Sequence, residues 1–304
     1  MKIYIAALYS NQYRSAGRRS RLNEFEQEVV DNTPDILESY HYVNKQTFVD
    51  KMRMDQARVF VDSGAFSAYT LGVTIPIEDY CTYIQVNEDI IRREDGILMA
   101  SVLDGIGDPL LTYQNQLRME ELGVRALPCF HAGEDTRYLD WYIENYEYIT
   151  LGGMVGSSTK QLIIWLDRMW NNHILDSAGN PKVKVHGFGI TSIPIMERYP
   201  WTSCDSSSWI QSASFGSIIT PDNGALSVSD KSPSRHDLGQ HVTTMTQEEG
   251  AYLNDLIESQ GFSLEKLAKV YESRATYNIW AFEEIEARIN SEYQNEELTI
   301  QELF

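Results

Sequence analysis

The chain has 304 residues, of which 42% are hydrophobic and 23% charged, a composition that favours one large domain, or a domain with an extension, over a disordered chain. The formal net charge of −19 argues against a protein that coats nucleic acid through bulk electrostatics. No apolar run approaches the roughly 20 residues of a membrane span, and the first residues read as a strand, not as a signal or transit peptide. Three scattered cysteines form no CxxC pair, so we expect a reduced, cytoplasmic protein without membrane contact.

Short apolar runs rich in β-branched and aromatic residues recur along the first two thirds of the chain. Most are apolar on both faces, which is typical of parallel strands. The eight runs are 2–9, 35–42, 58–66, 97–104, 124–131, 148–154, 183–190 and 201–208. Helix-like stretches separate them, and one begins at Asp108-Pro109, a capping residue followed by a proline. Eight alternating units predict an α/β fold of the (β/α)8 barrel type over residues 1–215, with a doubly wound open sheet as the alternative.

The remainder of the chain has a different composition. Residues 216–245 are polar and rich in serine, which predicts a long surface loop. Residues 246–304 predict a helical C-terminal extension, which begins with a capping box at Thr246–Glu249. We expect this extension to pack on the barrel.

Polar residues follow the predicted strands at the points where the strands end. Asp62, Asp104 and Asp205 each follow an apolar run, and His131 and His186 end two further runs. In a barrel these positions meet on one rim, where a carboxylate can act as nucleophile, as general acid or base, or as acceptor for the donor-rich edge of a guanine. An aspartate after a strand can equally be a helix cap. Because no HxH, HExxH or CxxC motif is present, no metal is predicted.

At these residues the chain resembles the tRNA-guanine transglycosylases, and more closely their DNA-acting phage and bacterial relatives, which insert 7-deazaguanines into DNA. The resemblance follows the family's order and covers roughly residues 58–216. It is carried by VFVDSGAFS (59–67), SVLDGIGDP (101–109), ALPCFHAGED (126–135), ITLGGMVG (149–156), HGFGITS (186–192) and RYPWTSCDSSSWI (198–210).

The resemblance implies a (β/α)8 barrel and a transferase that exchanges a base by double displacement. Asp205 matches the nucleophile, which attacks C1′ and expels guanine to leave a covalent glycosyl–enzyme ester. Asp62 matches the aspartate that moves the proton of the leaving and incoming bases. Asp104 would bind the base edge, and the remaining substrate-binding positions would be Ser63, Gly64, Phe66, His131, Gly152, Gly153, Phe188 and Gly189. His131 stands near a glutamine of the family, so its role stays open.

The resemblance also implies nucleic acid as a partner and a flipped target nucleotide. The basic stretch after the first strand supplies predicted phosphate contacts, namely Arg14, Arg18, Arg19 and Arg21, although a solvated loop explains it equally well. The tRNA enzymes carry a CxCxxC…H zinc site that this sequence cannot build, so no cofactor is expected and DNA is favoured over tRNA. With a net charge of −19, either the basic residues cluster on one face or a helper protein delivers the DNA. A homodimer is a further partner that the sequence leaves open. A glycoside or nucleoside hydrolase and a catalytically silent binding module remain alternatives.

Overall fold

The computed structural model of the protein describes residues 1–154, 156–222 and 224–302, with side chains up to Glu292. Positions 155, 223, 303 and 304 lie outside the described residues. They belong to the 149–156 motif, the expected loop and the expected extension.

The described residues form strands β1 (Lys2–Ala6), β2 (Ile36–Ser39), β3 (Val59–Asp62), β4 (Arg93–Glu94), β5 (Ile97–Leu98), β6 (Cys129–His131), β7 (Tyr148–Gly152), β8 (Lys184–Gly187), β9 (Ser203–Ser206), β10 (Ser217–Thr220) and β11 (Gly224–Ser227).

The helices are α1 (Ala16–Arg19), α2 (Glu24–Asn32), α3 (Tyr40–Val43), α4 (Gln46–Met54), α5 (Ala65–Thr70), α6 (Ile77–Val86), α7 (Pro109–Glu121), α8 (Thr136–Asn145), α9 (Thr159–Met169), α10 (Ile193–Arg198), α11 (Ser208–Ser214), α12 (Gln247–Ser259), α13 (Leu264–Lys269) and α14 (Tyr271–Glu302). The predicted caps are confirmed, since Asp108 accepts the Leu111 N–H at the start of α7 and Thr246 forms its capping box with Glu249. None of the helices in the described part of the chain has the length and apolar composition of a membrane span.

The chain divides into two compact units. The first contains residues 1–11 and 35–206, and the second contains residues 12–34 and 207–304. The segment after β1 and the segment after β9 both belong to the second unit.

The first unit is built on a parallel sheet of seven strands among the described residues, in the order β3-β2-β1-β9-β8-β7-β6. The register pairs Lys2 with Ser203 and Ile36 with Val59. Strands β1, β3 and β7 are buried on both faces and consist largely of apolar residues, as parallel strands with helical crossovers do. The α/β class predicted from the sequence is therefore confirmed.

The expectation of a closed barrel of eight regular strands is wrong, because the fourth predicted strand, 97–104, is not a regular strand. Its start forms the small β4–β5 hairpin, which turns at Asp95 and Gly96 with positive φ angles. Residues 99–103 then run between edge strands β3 and β6. Within the described residues their parallel pairing consists of single bridges, from Ala100 to Val61 of β3 and from Ser101 to Leu127, which lies just ahead of β6.

The core of the first unit is aromatic and aliphatic. Seven residues from the strands and from the bridging segment form one buried cluster, and Phe188 packs against it from the carboxyl end of β8. The cluster consists of Tyr4, Ala6, Leu37, Phe60, Met99, Leu127 and Tyr148. These side chains fix the strand positions and hence the polar residues that follow the strands.

The second unit packs around α14. The Asn278 side chain accepts the Ile219 N–H at 2.6 Å and donates to the Trp209 carbonyl at 2.8 Å, so this one amide joins the helix to β10 and α11. Glu26 on α2 is buried and bonds to Lys266 and Ser273. The expected polar loop 216–245 contains the antiparallel β10–β11 hairpin, which the serine-rich composition concealed.

Candidate active site

The three predicted aspartates lie at the carboxyl ends of strands in the first unit. Asp62 ends β3, Asp205 lies in β9, and Asp104 follows the bridging segment 99–103. Carboxyl ends of parallel strands share one edge of a sheet. The charges of Asp104 and Asp205 both raise the pKa of Asp62, so both lie close enough to act on it electrostatically.

Asp205 is 7% exposed and is held through one oxygen. Its Oδ1 accepts the Gly189 N–H at 2.9 Å and lies 3.3 Å from His186 Nε2. Gly189 has a φ of +66°, a backbone conformation that glycine adopts without steric cost and that brings its N–H to the carboxylate. Since both bonds end on Oδ1, Oδ2 is the oxygen that this arrangement leaves for attack on an electrophile.

A buried chain of hydrogen bonds runs from Asp205 through His186 and Ser203 to Tyr148. His186 is fully buried, with Nδ1 2.6 Å from Ser203 Oγ, which in turn lies 2.7 Å from the Tyr148 hydroxyl. If Nε2–H donates to the carboxylate, Nδ1 must accept from Ser203, and the Ser203 oxygen is free to accept from Tyr148. The ring edges of Phe60 and Phe188 pack on the imidazole at centroid distances of 4.8 and 4.7 Å.

Sequence reasoning missed this chain, because it treated His186 as one of two isolated strand-end histidines. The feature that reveals this hydrogen-bond chain is the register of the sheet, which pairs His186 with Ser203 across β8 and β9. No local motif reports that pairing.

Asp62 has protein partners on both oxygens. Oδ2 accepts from Ser39 Oγ at 2.9 Å and from the Gly64 N–H at 3.0 Å, while Oδ1 accepts from Ser101 Oγ at 3.2 Å. Burial, and after it the negative charge of Asp104, raise the pKa of Asp62 to about 6 against the opposing effect of these bonds. A carboxyl group with a pKa near neutrality can both give and take a proton.

The residues that follow Asp62 differ in position. Ser63 is fully buried, and its hydroxyl accepts the Ala65 N–H at 3.3 Å. Gly64 caps α5 with a φ of +73°, and Phe66 is 60% exposed. Ser63 and Gly64 therefore shape the turn, while Phe66 is available to a ligand.

Asp104, His131 and two residues that the sequence did not single out form a second cluster. His131 Nδ1 lies 2.9 Å from Glu134 Oε1, and His131 Nε2 lies 3.4 Å from both Asp104 Oδ2 and Cys129 Sγ. Burial opposes protonation of the ring, but Cys129, Asp104 and Glu134 together outweigh it and raise the pKa of His131. Asp104 Oδ1 is buried without a hydrogen-bond partner among the described residues.

Gly152, Gly153 and Phe188 of the predicted set lie at the ends of β7 and β8. Gly152 ends β7, and its carbonyl accepts the Ala132 N–H at 3.1 Å. Gly153 follows with a φ of +71°, and a Cβ there would lie 3.0 Å from the Ala132 nitrogen. Phe188 is partly buried against His186, so part of its ring has the core-packing role.

The four predicted phosphate contacts lie in the second unit. Arg14 is buried and donates to the carbonyls of Val30 and Asp31, Arg19 pairs with Asp31, and Arg18 bonds to Glu272 at 2.9 Å. These contacts give the arginines structural partners, and phosphate binding stays a prediction.

Arg21 has a further setting within the second unit. It lines a cavity of about 830 Å³ together with Lys231, Lys269 and Arg274, with Asp230 as the acidic member of the lining. A local excess of cations on a chain of net charge −19 is a favourable place for an anion.

No known protein family and no curated protein sequence matches this chain.

Proposed function

We propose that the protein is a transglycosylase that exchanges guanine in DNA for a 7-deazaguanine such as preQ0. The observation that carries the proposal is the grouping of Asp62, Asp104 and Asp205, each with a different set of partners. The raised pKa of Asp62 suits it to the acid and base role. The motif resemblance over residues 58–216 assigns the same three positions to base exchange.

The reaction requires two displacements at C1′ of the target nucleotide. Asp205 Oδ2 forms a bond to C1′ as the bond from C1′ to guanine N9 breaks, and Asp62 supplies the proton that the leaving base takes. The incoming base then gives its N9 proton to the Asp62 carboxylate, and its N9 displaces Asp205 from C1′. The ester conserves the energy of the glycosidic bond, so the exchange needs no ATP.

Asp104 has the chemistry for the base edge. Its buried Oδ1 lacks a hydrogen-bond partner among the described residues, and an unpartnered buried acceptor favours a ligand that brings a donor. The N1–H and 2-amino groups of guanine and of preQ0 are such donors. Asp104 can therefore bind the leaving and the incoming base in the same way.

The arrangement of the first unit is compatible with the (β/α)8 plan of that family. Residues 99–103 bridge to Val61 of β3 and to Leu127 just ahead of β6. The proposal takes this segment as an irregular fourth barrel strand, whose end delivers Asp104 to the rim.

DNA is the proposed partner, with the target nucleotide flipped out of its stack so that C1′ can meet Asp205. The cavity lined by Arg21 and three other cationic residues in the second unit supports contact with phosphates. The sequence lacks the cysteines of the zinc site in tRNA-acting relatives, which favours DNA over tRNA.

The test is base exchange by the purified chain. Protein, preQ0 and either duplex DNA or tRNA are incubated, the nucleic acid is digested to nucleosides, and the deazaguanine nucleoside is sought by mass spectrometry. Product in DNA supports the proposal, whereas product in tRNA alone refutes the choice of DNA. Free guanine without incorporation identifies a hydrolase, and a protein that binds DNA but releases no guanine is a binding module.

A further inference from the structure

Three potential metal ligands of different chemistry converge beside the carboxyl end of β6. They are an oxygen of Asp104, the sulfur of Cys129 and a ring nitrogen of His131, and they all lie within 4.8 Å of one another. Cys129 and His131 are two residues apart on one strand and so project to the same face. Asp104 reaches them from the neighbouring bridging segment, which bridges to Leu127 ahead of β6.

The two separations from His131 Nε2 fit tetrahedral coordination, and the one to Asp104 is longer than a usual hydrogen bond to a carboxylate. His131 Nε2 lies 3.4 Å from Asp104 Oδ2 and 3.4 Å from Cys129 Sγ. An N–H···O bond to a carboxylate is shorter, about 2.7–2.9 Å. Ligands at zinc distances of about 2.0–2.3 Å in tetrahedral geometry are themselves about 3.3–3.6 Å apart.

The surroundings prepare His131 for coordination through Nε2. Glu134 Oε1 lies 2.9 Å from Nδ1, and Glu134 Oε2 accepts the His131 backbone N–H at 3.1 Å. A carboxylate on the second ring nitrogen fixes the tautomer that presents Nε2 to a metal. Gly152 permits the close approach, since a Cβ there would lie 3.0 Å from the His131 ring and 3.1 Å from Cys129 Sγ.

We propose that Asp104 Oδ2, Cys129 Sγ and His131 Nε2 form a zinc site with three protein ligands and an open fourth position. A thiolate together with an imidazole selects zinc or a similar soft divalent ion over magnesium or calcium. The structure thus argues against the sequence-based expectation of no metal, which rested on the absence of familiar motifs.

The site goes beyond the proposed function and does not depend on it. Coordination through Oδ2 leaves Asp104 Oδ1, the unpartnered oxygen, for a donor of the base. An ion with three protein ligands keeps a position for water or for a ligand oxygen. Metal binding can therefore be measured without any nucleic acid or base present.

The test is titration of the chelator-treated full chain with Co²⁺ and then Zn²⁺, followed by absorption spectroscopy. About one equivalent of Co²⁺ should bind with tetrahedral d–d bands and a thiolate-to-metal charge-transfer band, and Zn²⁺ should displace it. Cys129→Ser should abolish the charge-transfer band. The matched control is Cys81→Ser, which alters a buried thiol on α6 outside the cluster and should leave the spectrum unchanged.

Absence of stoichiometric Co²⁺ and Zn²⁺ binding by the folded wild-type chain overturns the proposal, as does a charge-transfer band that survives in Cys129→Ser. If Cys129→Ser does not fold by circular dichroism, Asp104→Asn decides. That variant should keep the charge-transfer band and bind Co²⁺ at least about tenfold more weakly, as the loss of one ligand contact requires. An unchanged affinity in Asp104→Asn overturns the proposal.

Discussion

Replacement of His186 by phenylalanine tests whether the buried hydrogen-bond chain acts on Asp205. The ring lies among aromatic side chains and is fully buried, so phenylalanine fits in size and polarity. The substitution removes the Nε2 donor to Asp205 and leaves the Gly189 N–H in place. Ser203 keeps the Tyr148 hydroxyl as its partner, so no buried polar group on that side loses all of its hydrogen bonds.

The size of the effect follows from that one bond. A hydrogen bond to a charged group contributes about 1.5–3 kcal/mol, and the 3.3 Å separation places this one near the lower end. At about 1.4 kcal/mol per tenfold change, His186→Phe should slow formation of the glycosyl–enzyme ester roughly 10- to 30-fold.

The assay is single-turnover release of guanine from DNA by rapid quench, with circular dichroism to verify folding. Tyr148→Phe, which alters only the far end of the hydrogen-bond chain, should cause a smaller loss of rate because Ser203 still donates to His186. An unchanged single-turnover rate in folded His186→Phe protein would refute the positioning role.

Three further outcomes are expected. The pKa of Asp62 is raised to about 6, so the rate of guanine release, which needs protonated Asp62, should fall above pH 6. The rate of insertion of the incoming base, which needs the Asp62 carboxylate, should rise through the same pH. Pre-steady-state rates measured across pH test both. Gly64→Ala should lower the free energy of unfolding by about 2–4 kcal/mol in urea titrations, since φ is +73° and its Cβ would lie 2.6 Å from His41 Cβ. The double variant Arg21→Glu/Lys231→Glu should weaken DNA binding and reduce the slope of log affinity against log salt by about 2.

Each of these outcomes has a control variant. Asp62→Asn should remove the pH dependence of both rates. The raised pKa of Asp62 means that its ionised carboxylate is unfavourable in the folded state. The variant should therefore be more stable than the wild type above pH 6. Gly17→Ala, where a Cβ meets nothing within 4 Å, should leave stability nearly unchanged, and an equal loss in both glycine variants contradicts the steric argument. Lys160→Glu, an exposed change on α9, should alter DNA binding less than the double variant.

The sequence was sufficient to place Asp62 and Asp205 on strands of the first unit. Asp62 ends the apolar strand β3 and Asp205 lies in the buried strand β9, and parallel strands bring their carboxyl ends to one edge. The count of eight strands failed at 97–104, since the pattern of apolar residues does not reveal that Asp95 and Gly96 turn the chain into a hairpin.

The partners of the site residues could not be predicted, because they depend on register between strands. Cys129 and His131 are near in sequence, but their approach to Asp104 follows from the bridge between Ser101 and Leu127. The partners of Arg14 could not be predicted either. They include the backbone carbonyls of residues 30 and 31, and a backbone carbonyl is present whatever the residue type.

The measurement that tests the central claim most directly is capture of the covalent intermediate. The chain is incubated with DNA in the absence of an incoming base, denatured, digested with protease and nuclease, and its peptides are searched for a deoxyribosyl adduct by mass spectrometry. The account predicts an adduct on Asp205 in the wild-type chain and none in a folded Asp205→Asn variant. An adduct on another residue, or guanine exchange at the full rate by Asp205→Asn, would contradict it.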